Sequence, residues 1–167
     1  GQPVKLAVNS DLTVRGQARY FSDDNTPLGT GPWPLEVGTP TNLRLAITLQ
    51  NFLHELNNLE TVIALSPSVV GVDKIFTDAG EMGYDQTQRI MRWSLNKFPQ
   101  GLAKLSANFE ITVLPRQEDQ GKILTLVNSI LVAGRDTVTG QEIKALGEII
   151  TSDLPDSSFG KGKGIVR

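Results

Sequence analysis

The stretch LRLAITLQNFLHELNNLETVIALSP, residues 43–67, holds two runs of alternating apolar residues separated by the polar NFLHELNN. Alternation puts residues i and i+2 on one face of a strand. Leu43, Leu45, Ile47 and Leu49 therefore read as a buried face, and Arg44, Ala46, Thr48 and Gln50 as the opposite one. The centre is polar and turn-forming, which predicts two neighbouring strands joined as a hairpin by a loop of a few residues. The single histidine, His54, falls in that loop beside Glu55. A metal site would need further ligands converging on it and there is no second histidine, so His54 reads as an ordinary exposed loop residue.

The same period of two recurs along the chain. Met91, Trp93 and Leu95 alternate with polar residues, as do Phe109, Ile111 and Val113, and further runs lie at 3–8, 11–21, 59–65 and 121–134. Between them stand Gly-, Pro-, Asp- and Asn-rich turn signals, among them FTDAGEMGYDQTQ, KFPQG, RQEDQG and RDTVTGQ. Strands at this spacing predict an all-β antiparallel sandwich of about eight to ten strands. Leu45, Ile47, Leu49, Trp93, Leu95, Phe109, Ile111, Val113, Leu126 and Ile130 are expected to face inward together. Residues 141–150, QEIKALGEII, suit a helix by composition and a strand by their place after a Thr-Gly turn. Residues 23–40 read as a long loop or a crossover between sheets.

Composition narrows the function classes. Sixteen basic and 18 acidic residues give a net charge of −2 with no basic block, so nucleic acid is a poor partner. There is no cysteine, which removes disulfides, thiol catalysis and cysteine-ligated metal. No apolar run approaches the ~20 residues of a membrane-spanning helix. No serine sits in a GxSxG setting, and GTGPWP and GKGKG lack the strand–loop–helix context of a phosphate cradle. The chain is expected not to be an enzyme.

The order of motifs, LSPSVVGV at 65–72, Trp93 within IMRWSLNKFPQG, Pro115 after the Phe109 strand, and Asn51 and Asn128 at matching places, resembles the conserved-repeat Ig-like domain of bacterial and archaeal surface proteins, also known as domain of unknown function eleven. The resemblance covers about residues 41–140. It implies an Ig-like sandwich; outside the match, alternation at 3–21 is expected to add strands to this family-like core so that the sandwich fills residues 1–156, and the Gly- and Lys-rich residues 157–167 are expected to serve as a flexible linker or an exchanged strand. It also implies a non-catalytic stalk, repeat or adhesive unit of a secreted or cell-surface bacterial protein, with neighbouring domains, copies of itself, or a surface glycan or protein as partners. Two other roles stay open beside it: subunit of an extracellular filament assembled by terminal strand exchange, and a carbohydrate- or peptide-binding module.

Four places carry candidate chemistry. Asn128 shares parity with Leu124, Leu126, Ile130 and Val132 and is expected to be a buried amide satisfied by backbone; an isopeptide to lysine is disfavoured because no lysine has inward parity within reach. Asp23, Asp24 and Asp136 lie in oxygen-rich turns and are weak calcium candidates, with no cofactor otherwise expected. Trp33, between two prolines, is either a ligand platform or a plug over one end of the sandwich.

Overall fold

The computed structural model describes residues 8–155 and 161–167. Ten strands form among them: β1 (Asp11–Arg19), β2 (Thr41–Phe52), β3 (Leu56–Leu65), β4 (Val69–Thr77), β5 (Glu81–Asp85), β6 (Ile90–Phe98), β7 (Lys104–Val113), β8 (Thr125–Asp136), β9 (Glu142–Gly147) and β10 (Ile150–Thr151). They make two antiparallel sheets, one ordered β1-β2-β7-β4 and the other β10-β8-β3-β6-β5, with β9 also on the outer edge of β8. The orders β1-β2-β7-β4 and β9-β8-β3 are those of a constant-type immunoglobulin sandwich, and the β5–β6 hairpin extends the second sheet. Residues 141–150 take the strand option, since β9 pairs with β8 from Arg135↔Glu142 to Ile130↔Gly147.

The two runs of residues 43–67 are strands, but they do not pair. β2 hydrogen-bonds to β1 and β7, whereas β3 hydrogen-bonds to β6 and β8. Both runs have one apolar face, and those faces meet across the core, so the expected hairpin is instead a crossing from one sheet to the other. The crossing is short: β2 runs to Phe52 and β3 starts at Leu56. Residues 23–40, by contrast, connect β1 and β2 within one sheet.

The ten side chains expected inside are all buried, Trp93 and Phe109 completely. Trp93 Nε1 donates to the Ala79 carbonyl at 2.8 Å, which satisfies its one polar atom in the core. Gly16 in β1 lies against the second sheet, where a Cβ would sit 2.6 Å from Ile130 Cδ1 and 2.7 Å from Ile150 Cδ1.

The sandwich has two ends. At the first pole lie the β2–β3 crossing, the β6–β7 turn, the β8–β9 turn and the start of β1, as the pairs Asp11↔Phe52, Gln50↔Lys104 and Leu56↔Asp136 require. At the second pole β2 and β8 begin and β7 ends. The 12 residues of β2 separate the poles by about 40 Å.

Asn128 is exposed, against the expectation of a buried amide. The β3–β8 register steps from Ala64↔Ser129 to Leu65↔Val127, so Asn128 is the extra residue of a bulge. A second step, from Ile150↔Val127 to Thr151↔Thr125, returns Leu126 to the core. Even parity holds on both sides of Asn128 and fails at Asn128 itself.

Residues 161–167 lie on their own sandwich rather than standing off as a linker. Val166 is buried, exchanges bonds of 2.9 Å with Gly121 and Lys122, and is followed by Arg167, whose amide donates to Leu35 O at 2.8 Å. Residues 157–160 of that expected segment, and 3–7 of the expected first strand including Lys5, lie outside the described residues.

Candidate functional site

The first pole contains a dense buried polar cluster that the residue pattern did not signal, and it is built around the crossing. Asn51 closes β2, His54 sits in the three-residue link, Asp136 ends β8 and Ser10 precedes β1. Asp136 is completely buried and shares inward parity with Ile130 and Val132. Its Oδ2 accepts from Ser10 N at 2.8 Å and His54 Nδ1 at 2.9 Å. Its Oδ1 accepts from Val138 N at 2.8 Å and Thr139 N at 3.1 Å. Burial pushes the carboxyl pKa up, but the His54 bond and the amides of Thr139, Ser10 and Val138 together outweigh it and hold the group well below the usual carboxylate range. An ionised carboxylate only accepts, so the His54 Nδ1 atom carries the proton in that bond.

Ser10 fastens the link from the other side. Its Oγ bonds Asn51 Oδ1 at 2.5 Å and the Phe52 carbonyl, and accepts from His54 N at 3.2 Å. Asn51 Nδ2 donates to His54 O at 2.8 Å. Thr137 N and Oγ1 reach Glu55 O at 3.1 and 3.0 Å, and Thr139 Oγ1 donates to Asn9 Oδ1 at 2.7 Å. Leu53, at the apex, holds φ +85, a region that disfavours any side chain. The chain therefore spends its histidine, a buried acid, a serine and an asparagine on fixing one sharp crossing.

Ser10, His54 and Asp136 share the residue types of a hydrolytic triad but not its geometry. In a triad the serine Oγ sits on the histidine nitrogen remote from the acid; here Ser10 Oγ is spent on Asn51 and on backbone groups of Phe52 and His54. The arrangement can clamp a loop and does not present an activated nucleophile. His54 is thus not the plain exposed histidine that its loop position suggested: its side chain is 21% exposed and bonded to Asp136.

The other candidates are scattered. Asp23 pairs with Arg19 at 2.6 Å, and Asp24 accepts from Ser22, a bond that, with the Thr26 contacts, draws its carboxyl below the ordinary value. Both lie in the turn after β1, at the pole opposite Asp136, so the three acids do not converge. Among the described residues no group of three or more His, Asp or Glu is placed to share a metal ion. Trp33 is half-buried, stacked on Tyr20 with ring centroids 5.4 Å apart and planes at 20°, while Tyr20 Oη donates to Gly31 O at 2.6 Å. It packs against the core at the second pole. A groove of about 740 Å³ runs along one side between β1 and residues 144–155.

No family model matches the chain, and no curated protein matches it in sequence. Solved structures do resemble it in fold. The major pilin subunit of Bacillus cereus is 10% identical with a TM-score of 0.55, over 84% of this chain and 40% of the pilin. The full-length major pilin of Corynebacterium diphtheriae is 11% identical with a TM-score of 0.48, over 83% of this chain and 34% of the other. The chain thus spans about two fifths of the first pilin's length and a third of the second's. At such identity the likeness concerns the fold: an Ig-like sandwich. No helix among the described residues is long and apolar enough to cross a membrane.

Proposed function

We propose that this sandwich is a non-catalytic structural or adhesive module, a stalk or repeat unit, of a secreted or cell-surface bacterial protein. The observation that carries the reading is the path of the chain. Among the described residues it runs from Asn9 and Ser10 on the first pole to Arg167 on the second, and both are fastened by hydrogen bonds to distant parts of the sequence. A tension applied between the ends therefore runs along the strands. β1 starts at the loaded pole and is paired with β2 over its whole length, from Asp11↔Phe52 to Arg19↔Arg44, so its ladder is loaded in shear, many bonds at once, rather than opened one bond at a time. The pilin likeness in fold and the resemblance to surface-protein repeats are in keeping with this role.

The test is single-molecule stretching with handles on the two ends. A module built to carry load unfolds in one cooperative high-force event. Stepwise peeling of β1 at low force would refute the load-bearing reading.

A further inference from the structure

The clamp at the first pole holds something outward. Around it stand Phe52 (51% exposed), Leu53 (55%), Leu102 (41%) and Val138 (63%). They come from three different connections brought together by the fold. Leu102 follows on from the β2–β7 ladder opposite Phe52, next to the Asn51 N to Ala103 O bond, and Val138 is tied to Asp136, which binds His54. Leu53 keeps its unfavourable φ +85 because the residues on either side are pinned: the Phe52 carbonyl by Ser10 Oγ, and His54 by Ser10, Asn51 and Asp136. A buried polar network that fixes a strained link bearing two solvent-facing large apolar side chains is a device for presenting them.

The second pole carries an apolar pair of its own. Ile123 (50% exposed) and Ile165 (53%) bridge each other. Their sequence neighbours Lys122 and Lys163 are exposed and basic, while exposed Asp11 stands directly across from Phe52 at the first pole. Glu55 and Lys97, also at the first pole, pair with each other at 3.8 Å.

We propose that the Phe52–Leu53–Leu102–Val138 tip of one copy docks on the Ile123–Ile165 surface of a second copy, head to tail, with Asp11 facing Lys122 and Lys163. The contact joins unlike surfaces along the long axis, so it does not close on itself and adds copies in line. It also brings Arg167 of one copy beside Asn9 of the next. A patch of a few side chains makes a weak contact between free copies, which linkage within one chain would strengthen through effective concentration. The inference builds on the stalk reading, yet that reading needs only the chain path and survives if copies do not associate.

Sedimentation velocity of the full chain up to about 1 mM, with two surface variants, tests it. Phe52→Ser with Leu53→Gly removes the tip and suits the backbone at residue 53; Ile123→Ser with Ile165→Ser removes the receiving surface. The wild-type sedimentation coefficient rises with concentration, and each variant alone stays monomeric, its association weakened roughly tenfold or more. Mixing the two variants restores one intact tip and one intact receiving surface and gives a 1:1 dimer that grows no further. High salt weakens association, as Asp11 facing two lysines requires. A wild type that stays monomeric throughout overturns the proposal. So does association lost in the tip variant but kept in the isoleucine variant, which would mean tip-to-tip dimers.

Discussion

Asp136 is the residue on which the first pole depends. Replacing it with alanine leaves three backbone amides and the His54 ring without their acceptor in a buried place, and the expected loss is about 3–5 kcal/mol by urea unfolding at neutral pH. Its carboxyl lies below the ordinary range in the folded chain, so the ionised form stabilises the fold above about pH 4, where the unfolded chain's carboxyl is also ionised, and that stabilisation is lost as the pH falls further. Between pH 5 and pH 3 the wild type should lose more stability than Asp136→Asn; equal losses would show that other acids carry the acid sensitivity. Leu53 makes the opposite case. Glycine at φ +85 is unstrained, so Leu53→Gly should raise stability by about 0.5–1 kcal/mol, measured in the same way. Parity alone marks Asp136 as inward, through Ile130, Val132 and the core face of its strand, whereas its RDTVTGQ setting placed it in an oxygen-rich turn as a weak calcium candidate. Nothing near Ser10 in sequence signals its bonds, because its partners are Asn51, Phe52, His54 and Asp136.

Strands were legible in the sequence and their neighbours were not. Alternation states which face of a strand is apolar; it does not state which edge meets which. LRLAITLQ and LETVIAL therefore read equally well as a hairpin and as two faces of one core, and the three-residue link between them is short enough for either. The bulge at Asn128 was hidden for a related reason: two irregularities cancel, so the pattern on both sides keeps the same parity and the interruption leaves no trace in the apolar residues. Where a strand stays regular the reading holds well. Trp93 in β6 is fully buried as its alternation with Arg92 and Ser94 required. Trp93→Ala should cost about 3–5 kcal/mol by leaving a cavity, with the Ala79 carbonyl losing its donor as well. A cost below about 1 kcal/mol would mean that β5 and β6 close over the gap.

For the whole molecule, the two poles are held by different means. The first depends on buried polar bonds, the second on the Trp33–Tyr20 stack and on residues 161–167. Removing residues 161–167 exposes the Val166 site and frees the carbonyls of Leu35 and Lys122, and should lower stability by about 2–3 kcal/mol from the apolar term alone. Thermal unfolding of the shortened chain checks this; an unchanged midpoint would mean that the segment is a passenger. The composition of GKGKGIVR, rich in glycine and lysine, resembles a linker, and only the final Ile-Val hints at the contact it makes.

The fastening of each end to remote sequence also sets the order in which the molecule can form. Ser10 can meet Asn51, Phe52 and His54 early but waits for Asp136, and Arg167 closes on Leu35, so neither fastening is finished until late residues appear. During synthesis β1 can meet β2 early, but the lock at Ser10 stays open until about a hundred further residues have appeared, on the order of ten seconds at ordinary elongation rates. Over that interval β3 and β6 can face β2, but β8, β9 and β10 are missing from the covering sheet, and pairing this non-local is slow to begin with. A chain threaded gradually through a narrow exit therefore gains its native resistance to proteases late and all at once, when β8 and β9 arrive.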